Sequence, residues 1–216
     1  MSENALTVLQ QLEGNSDTTA LAAMAQGGGF LPRLQLFGGS SDACKEGKIP
    51  VAHWGLTREK DNIEDLGKEV EVVVLAGRTK AIQFGDTTLV YYTPTHPEFI
   101  RIQGEADAKQ QSRMYGAEYL VYIPSAETFA TLFLCSPTAR RAIPSVNGRI
   151  NKAAVLKSQL IDNGKHKWHG PVCKPLEQPT FELPDFADIK KQLDSFKNAR
   201  DSEVETVQDT GSERER

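Results

Sequence analysis

Seven cations fall between Ser136 and Gly170, namely Arg140, Arg141, Arg149, Lys152, Lys157, Lys165 and Lys167, against the single acid Asp162. That stretch holds +6 in a chain whose net charge is −4, so the remaining residues together hold −10. Clustered cations raise the local potential, and each phosphate they neutralise releases counterions, so an island of this kind suits a polyanion. Holding a single strand also requires ring faces on which bases stack, at about 1–3 kcal/mol per base. Arg78 and Lys80 lie in the segment leading to Tyr91 and Tyr92, Arg113 and Tyr115 precede a hairpin containing Tyr122, and Lys165 and Lys167 accompany Trp168 and two histidines. In an extended strand Lys165, Lys167 and His169 point one way, and His166 and Trp168 the other. The candidate DNA-binding set is Arg78, Lys80, Tyr91, Tyr122, Arg140, Arg141, Arg149, Lys152, Lys157, Lys165, Lys167 and Trp168. Against it stand plainer readings: half-buried packing with a solvated hydroxyl for the tyrosines, and a solvated helix face for the island.

Other chemistry is poorly supported by spacing. His166, His169 and Cys173 are possible zinc ligands, but in a strand the two histidines face opposite sides and no second pair lies nearby. Gly39 to Lys48 ends in Gly47-Lys48 like a phosphate loop, yet the spacing is wrong and Ile49 supplies no hydroxyl for magnesium. Glu59, Asp61, Glu64 and Asp65 could serve a nuclease as acid/base groups or magnesium ligands, although Arg58 and Lys60 among them suit a solvated loop. No serine, cysteine and histidine arrangement stands out. The expectation is a non-enzymatic protein without metal or cofactor. Cys44, Cys135 and Cys173 are widely spaced and odd in number, which fits a reducing compartment better than a disulfide framework. No apolar run reaches the roughly 18 residues of a membrane span, and a signal-peptide pattern is absent from the first residues.

The elements that must position these groups are mainly strands. The segment from Phe30 alternates from Leu34 onward and stops at Gly38-Gly39, with Pro32 implying an edge or a bulge. Ile49 to Thr57 is a second candidate strand. Val70 to Leu75 is a nearly continuous β-branched run, expected to be central and to continue past Gly77 to Phe84. Thr88 to Thr93 follows a Gly85-Asp86 turn, and Glu118–Ile123 with Thr128–Leu134 reads as a hairpin. Ser136-Pro137 starts a helix that Pro144 breaks, and Ser145 caps a second helix expected to reach about Ile161. Lys165 to Cys173 returns to strand, and Asp185 to Asn198 is an amphipathic helix with Phe186, Ile189, Leu193 and Phe196 on one face. Residues 1–29 read as a flexible leader, 30–198 as one globular domain and 199–216, with six acids and three arginines, as a disordered acidic tail. The expected fold is β-rich α+β: an OB-like antiparallel barrel with a helical insertion before the last strand and a C-terminal helix. An open antiparallel sheet with helices on one side is the runner-up.

Several phrases resemble a family of tailed-bacteriophage proteins: Phe30-Leu-Pro-Arg-Leu-Gln-Leu, Met114-Tyr-Gly-Ala-Glu-Tyr, Thr138-Ala-Arg-Arg, Ala153-Ala-Val-Leu-Lys-Ser and Lys167-Trp-His-Gly-Pro. The likeness covers about residues 30–184. It implies a viral protein made in the host bacterial cytoplasm and supplies no active site. The overall plan is similar to that of phage single-stranded DNA-binding proteins, which implies single-stranded DNA as a partner in replication or recombination, little sequence preference, and docking of replication proteins on the acidic tail. This tail departs from that plan by ending in Glu213-Arg-Glu-Arg216 rather than in an aromatic or apolar residue. The competing expectation is a phage assembly or structural protein whose basic island meets an acidic patch on a partner.

Overall fold

The computed structural model describes residues 31–59, 62–110 and 112–201, so the expected leader and the tail beyond Asp201 lie outside the described residues. The described residues form two compact units, 31–78 with 117–197, and 79–116 with 198–201. The described residues form nine strands, β1 (Arg33–Leu36), β2 (Trp54–Glu59), β3 (Asn62–Gly67), β4 (Glu69–Gln83), β5 (Leu89–Tyr91), β6 (Arg113–Ile123), β7 (Thr128–Leu134), β8 (Lys152–Asp162) and β9 (Lys167–Pro175). The described helices are α1 (Asp42–Lys45), α2 (Pro97–Asp107), α3 (Pro137–Arg140), α4 (Ile143–Asn147) and α5 (Phe186–Lys197).

The strand order β3-β2-β1-β7-β6-β4-β8-β9, with β5 on β4, does not close on itself. The expected OB-like barrel is therefore corrected to a large open sheet, antiparallel apart from the parallel β1–β7 pair among the registers that are defined. One physical reason for the open end is written in β9. Ser158 stands opposite Pro171 but donates its N–H to Lys68 on the other side, so Ser158–Pro171 is a non-hydrogen-bonded pair. The positions 171, 173 and 175 then face outward, and at two of them proline removes the donor that another strand would need.

In the larger unit both sheet faces are covered. Val70, Val72 and Val74 of β4 and Tyr119, Val121 and Ile123 of β6 join one core, to which Ala142 and Val146 of the α3–α4 segment contribute. Val73 and Leu75, with Leu120 and Tyr122, face a second core closed by Ile189, Leu193 and Phe196 of α5. Helices on both faces replace the one-sided arrangement of the runner-up. The β-branched run was legible as a central strand because alternate valines enter different cores, which a half-exposed strand would not need. Pro32 immediately precedes β1, an interior strand between β2 and β7, and its carbonyl accepts from Thr131 rather than marking an edge.

The largest correction concerns residues 152–162, expected as helix and found as β8. Its inner half pairs with β4 from Val74↔Lys152 to Glu69↔Lys157, and Ala154 to Asp162 pair with β9. Two ladders satisfy its backbone on both sides, which outweighs the helix preference of Ala153, Ala154 and Leu156. Asn151, at φ 62°, makes the turn into it.

The smaller unit carries its own core, Ala81, Tyr91, Phe99 and Ile102, with Leu89 and Tyr115 against it. Helix α2 was not foreseen. His96 caps it by accepting from Glu98 N–H, and Pro97 occupies its first turn, where a missing donor costs nothing.

Close approach explains one glycine directly. A Cβ on Gly55 would lie 2.6 Å from the Phe37 ring and 2.7 Å from Ile49 Cδ1, both in fully packed side chains. Gly55→Ala should therefore destabilise by about 1–3 kcal/mol through overpacking. Urea midpoints of the two proteins check it, and equal midpoints would show that this corner yields.

Candidate functional site

The basic island folds as a corner made by α3, α4 and the β8–β9 hairpin. Ser136 caps α3 by accepting from Ala139 N–H, as its sequence implied. Helices α3 and α4 both lie against β9. Beyond Ser158, β8 has no β4 partner, so the outer hairpin is a two-stranded ribbon, the arrangement in which strand twist is largest. That ribbon brings Trp168 to α3, where its indole N–H donates to Thr138 Oγ1 at 3.0 Å. Gly170 makes room for the same threonine: a Cβ there would stand 2.7 Å from Thr138 Cγ2.

Around this corner five cations form no ion pair with a described residue: Arg141, Arg149, Lys152, Lys165 and Lys174. Lys174 was missed because the island was closed at Gly170, although it continues the same hairpin. Arg149 stands near Cys173, whose thiol burial pushes up and this guanidinium draws down. Lys165 sits in the hairpin turn, ordered by Asn163 Oδ1, which accepts from the Lys165 and His166 amides. Strand parity places Lys152 with Ala154 and Leu156 but Lys174 with Val155, so these two stand on opposite faces of the hairpin. From Trp168 to Lys174 the strand runs about 20 Å. The cations thus rim an elongated hairpin instead of lining one trough.

Several nominated residues serve elsewhere. Arg78 bonds buried Glu118 through Nε at 2.7 Å and Nη2 at 2.6 Å, donates to the Phe196 carbonyl and stacks on the Phe196 ring at 4.0 Å. Lys80 is 4 % exposed, with its ammonium 5.9 Å from the Tyr92 ring centroid. Tyr91 is buried and stacks on His96, and Tyr122 is buried against Phe129. Neither ring presents a face to a base, so both proposed stacking roles are corrected to packing; Tyr122 shares parity with core Leu120, a signal present in the sequence. Lys157 is held by Glu69 at 2.7 Å and Lys167 by Asp162 at 3.0 Å. Arg140 ends α3 half-buried, and Trp168 remains the one nominated ring with partial exposure.

Two carboxylates of the β2–β3 hairpin are likewise engaged. Glu64 pairs with Arg58, and Asp65 accepts from His53 Nδ1 at 2.9 Å and from Gly67 N–H at 2.8 Å; Asp61 lies outside the described residues. Among the described residues no group of three His, Cys, Asp or Glu side chains is placed to hold a metal. Burial pulls the Asp65 carboxyl up, but the Gly67 amide and His53 outweigh it and hold it below 3.8. A carboxyl depressed in the folded state stabilises fully above its unfolded pKa and ceases to do so as pH falls through its folded value. The stability advantage of wild type over Asp65→Asn should accordingly persist from neutrality to about pH 5 and shrink below about pH 3.8. Urea midpoints across that range read it; a gap unchanged at pH 3 would contradict the assignment.

No protein-family model, curated protein or solved structure matches the chain. No described helix is long and apolar enough to cross a membrane.

Proposed function

We propose that this chain is a non-enzymatic single-stranded DNA-binding protein, acting in phage DNA replication or recombination, that meets the phosphate backbone with the α3–β8–β9 corner. The observation carrying this reading is the set of five cations that form no ion pair with a described residue, gathered on one continuous part of an acidic chain. With Tyr91 and Tyr122 buried, recognition is led by phosphates, with Trp168 as its stacking contribution. Weak sequence preference and steep salt dependence follow, since phosphate contacts position a strand without reading it. The resemblance to tailed-bacteriophage proteins supplies the setting, a bacterial cytoplasm.

A second reading is favoured by those same buried tyrosines: an assembly or structural protein whose corner meets an acidic protein surface. Fluorescence polarisation with a labelled oligonucleotide at several salt concentrations separates the two. Micromolar or tighter binding at about 50 mM salt with a steep salt slope supports DNA binding, and none at that salt overturns it in favour of the second reading.

A further inference from the structure

The first acid of the acidic tail is itself bound. Asp201 Oδ1 accepts from two successive backbone amides, Tyr92 N–H at 2.6 Å and Thr93 N–H at 3.0 Å, over a hundred residues away in sequence. The Thr93 side chain bonds the same carboxylate. Successive N–H groups aimed at one oxygen form an anion-binding nest. The nest owes its shape to other contacts. His96 N–H donates to the Thr93 carbonyl at 2.9 Å across Pro94-Thr95, Thr79 Oγ1 donates to the Tyr92 carbonyl at 2.6 Å, and the His96 ring stacks on Tyr91. None of these involves Asp201. The surroundings suit negative charge: the Lys80 ammonium lies over the Tyr92 ring, and the positive end of the α2 dipole lies one residue after His96. Thr93 is exposed, so the turn opens to solvent.

We infer that the Tyr92–Thr93 turn is an oxyanion site that takes an external phosphate group and that Asp201 occupies it as an intramolecular stand-in. The carboxylate uses two amides and a hydroxyl, and a phosphate, with three terminal oxygens, can engage the same donors while remaining solvated on its outer side. Asp201 belongs to the same chain as the turn, so the stand-in acts at high effective concentration and keeps millimolar phosphate out of the wild-type protein. This site uses residues of the smaller unit alone and does not depend on DNA binding by the basic corner.

The test is an amide-resolved NMR titration of the full chain with inorganic phosphate and, separately, glycerol phosphate, with sodium chloride at matched ionic strength as control. In Asp201→Ala the Tyr92 and Thr93 amides should shift saturably with phosphate, while wild type should require at least tenfold more. Binding of the ester as well as the free ion assigns phosphate esters as ligands; binding of the ion alone assigns free phosphate. Absence of both, or an equal response from wild type and variant, overturns the site. Asp201→Asn, which keeps size and loses charge, carries the same titration if the alanine variant misfolds, and loss of the native spectrum in both variants would show the carboxylate to be structural and refute the stand-in role.

Discussion

Arg78→Ala should be among the most destabilising single changes in this chain, lowering unfolding free energy by about 3–5 kcal/mol, because it removes the partner of a carboxylate that is almost wholly buried. Glu118 is 4 % exposed at its side chain against 19 % for Arg78, so the charge left behind is the one solvent reaches least. The same guanidinium donates to the carbonyl of Phe196, in the last turn of α5, where backbone acceptors have no partner within the helix. A cation at that end is also favoured by the helix dipole. The Phe196 ring beneath it belongs to the core that α5 closes, so the substitution strikes an ion pair, a helix terminus and a packed ring together. Replacing both charges, as Arg78→Met with Glu118→Leu, should recover most of the loss, since a buried pair exchanged for apolar side chains is often close to neutral. Urea denaturation of wild type, single and double variants measures this. A single variant within about 1 kcal/mol of wild type would place it with ordinary surface changes and sink the claim.

That contact also marks the boundary of what the sequence could reveal. Arg78 was nominated as a phosphate ligand because it sits near other cations in the chain, but its partner lies 40 residues away and its helix contact 118. Nothing in local pattern states which acid a cation will meet. Features governed by nearest neighbours were readable: the valines of β4, the β6–β7 hairpin, the Ser136-Pro137 start and the stripe of Ile189, Leu193 and Phe196. Those set by distant pairing were not. β8 carries Ala153, Ala154 and Leu156, which accept a helix readily, and its strand state comes from two partners, one of them about 80 residues upstream in β4. The missed α2 shows the opposite limit: it buries only Phe99 and Ile102, too few for a clear 3.6-residue pattern.

Replacing Arg141, Arg149, Lys152, Lys165 and Lys174 together with glutamine should flatten the salt dependence of oligonucleotide binding while leaving the fold in place. Each phosphate contact on a single strand contributes about 0.7 to the slope of log affinity against log salt, so five contacts amount to roughly 3.5. Between 50 and 200 mM salt the wild-type affinity should then fall about a hundredfold, and that of the variant only a few-fold. Stability should change little, because these side chains form no ion pair with a described residue and stand at or near the surface. The comparison is sharpened by Lys157 and Lys167, already neutralised by Glu69 and Asp162. Substituting those two should move the slope by less than any two of the five. If instead all seven contribute equally, the strand must break both ion pairs on binding, and proximity along the chain would have been a better guide than the pairing seen in the fold. If none contributes, the acidic-partner reading takes over, since the same corner would then be held for a protein surface that an oligonucleotide does not mimic.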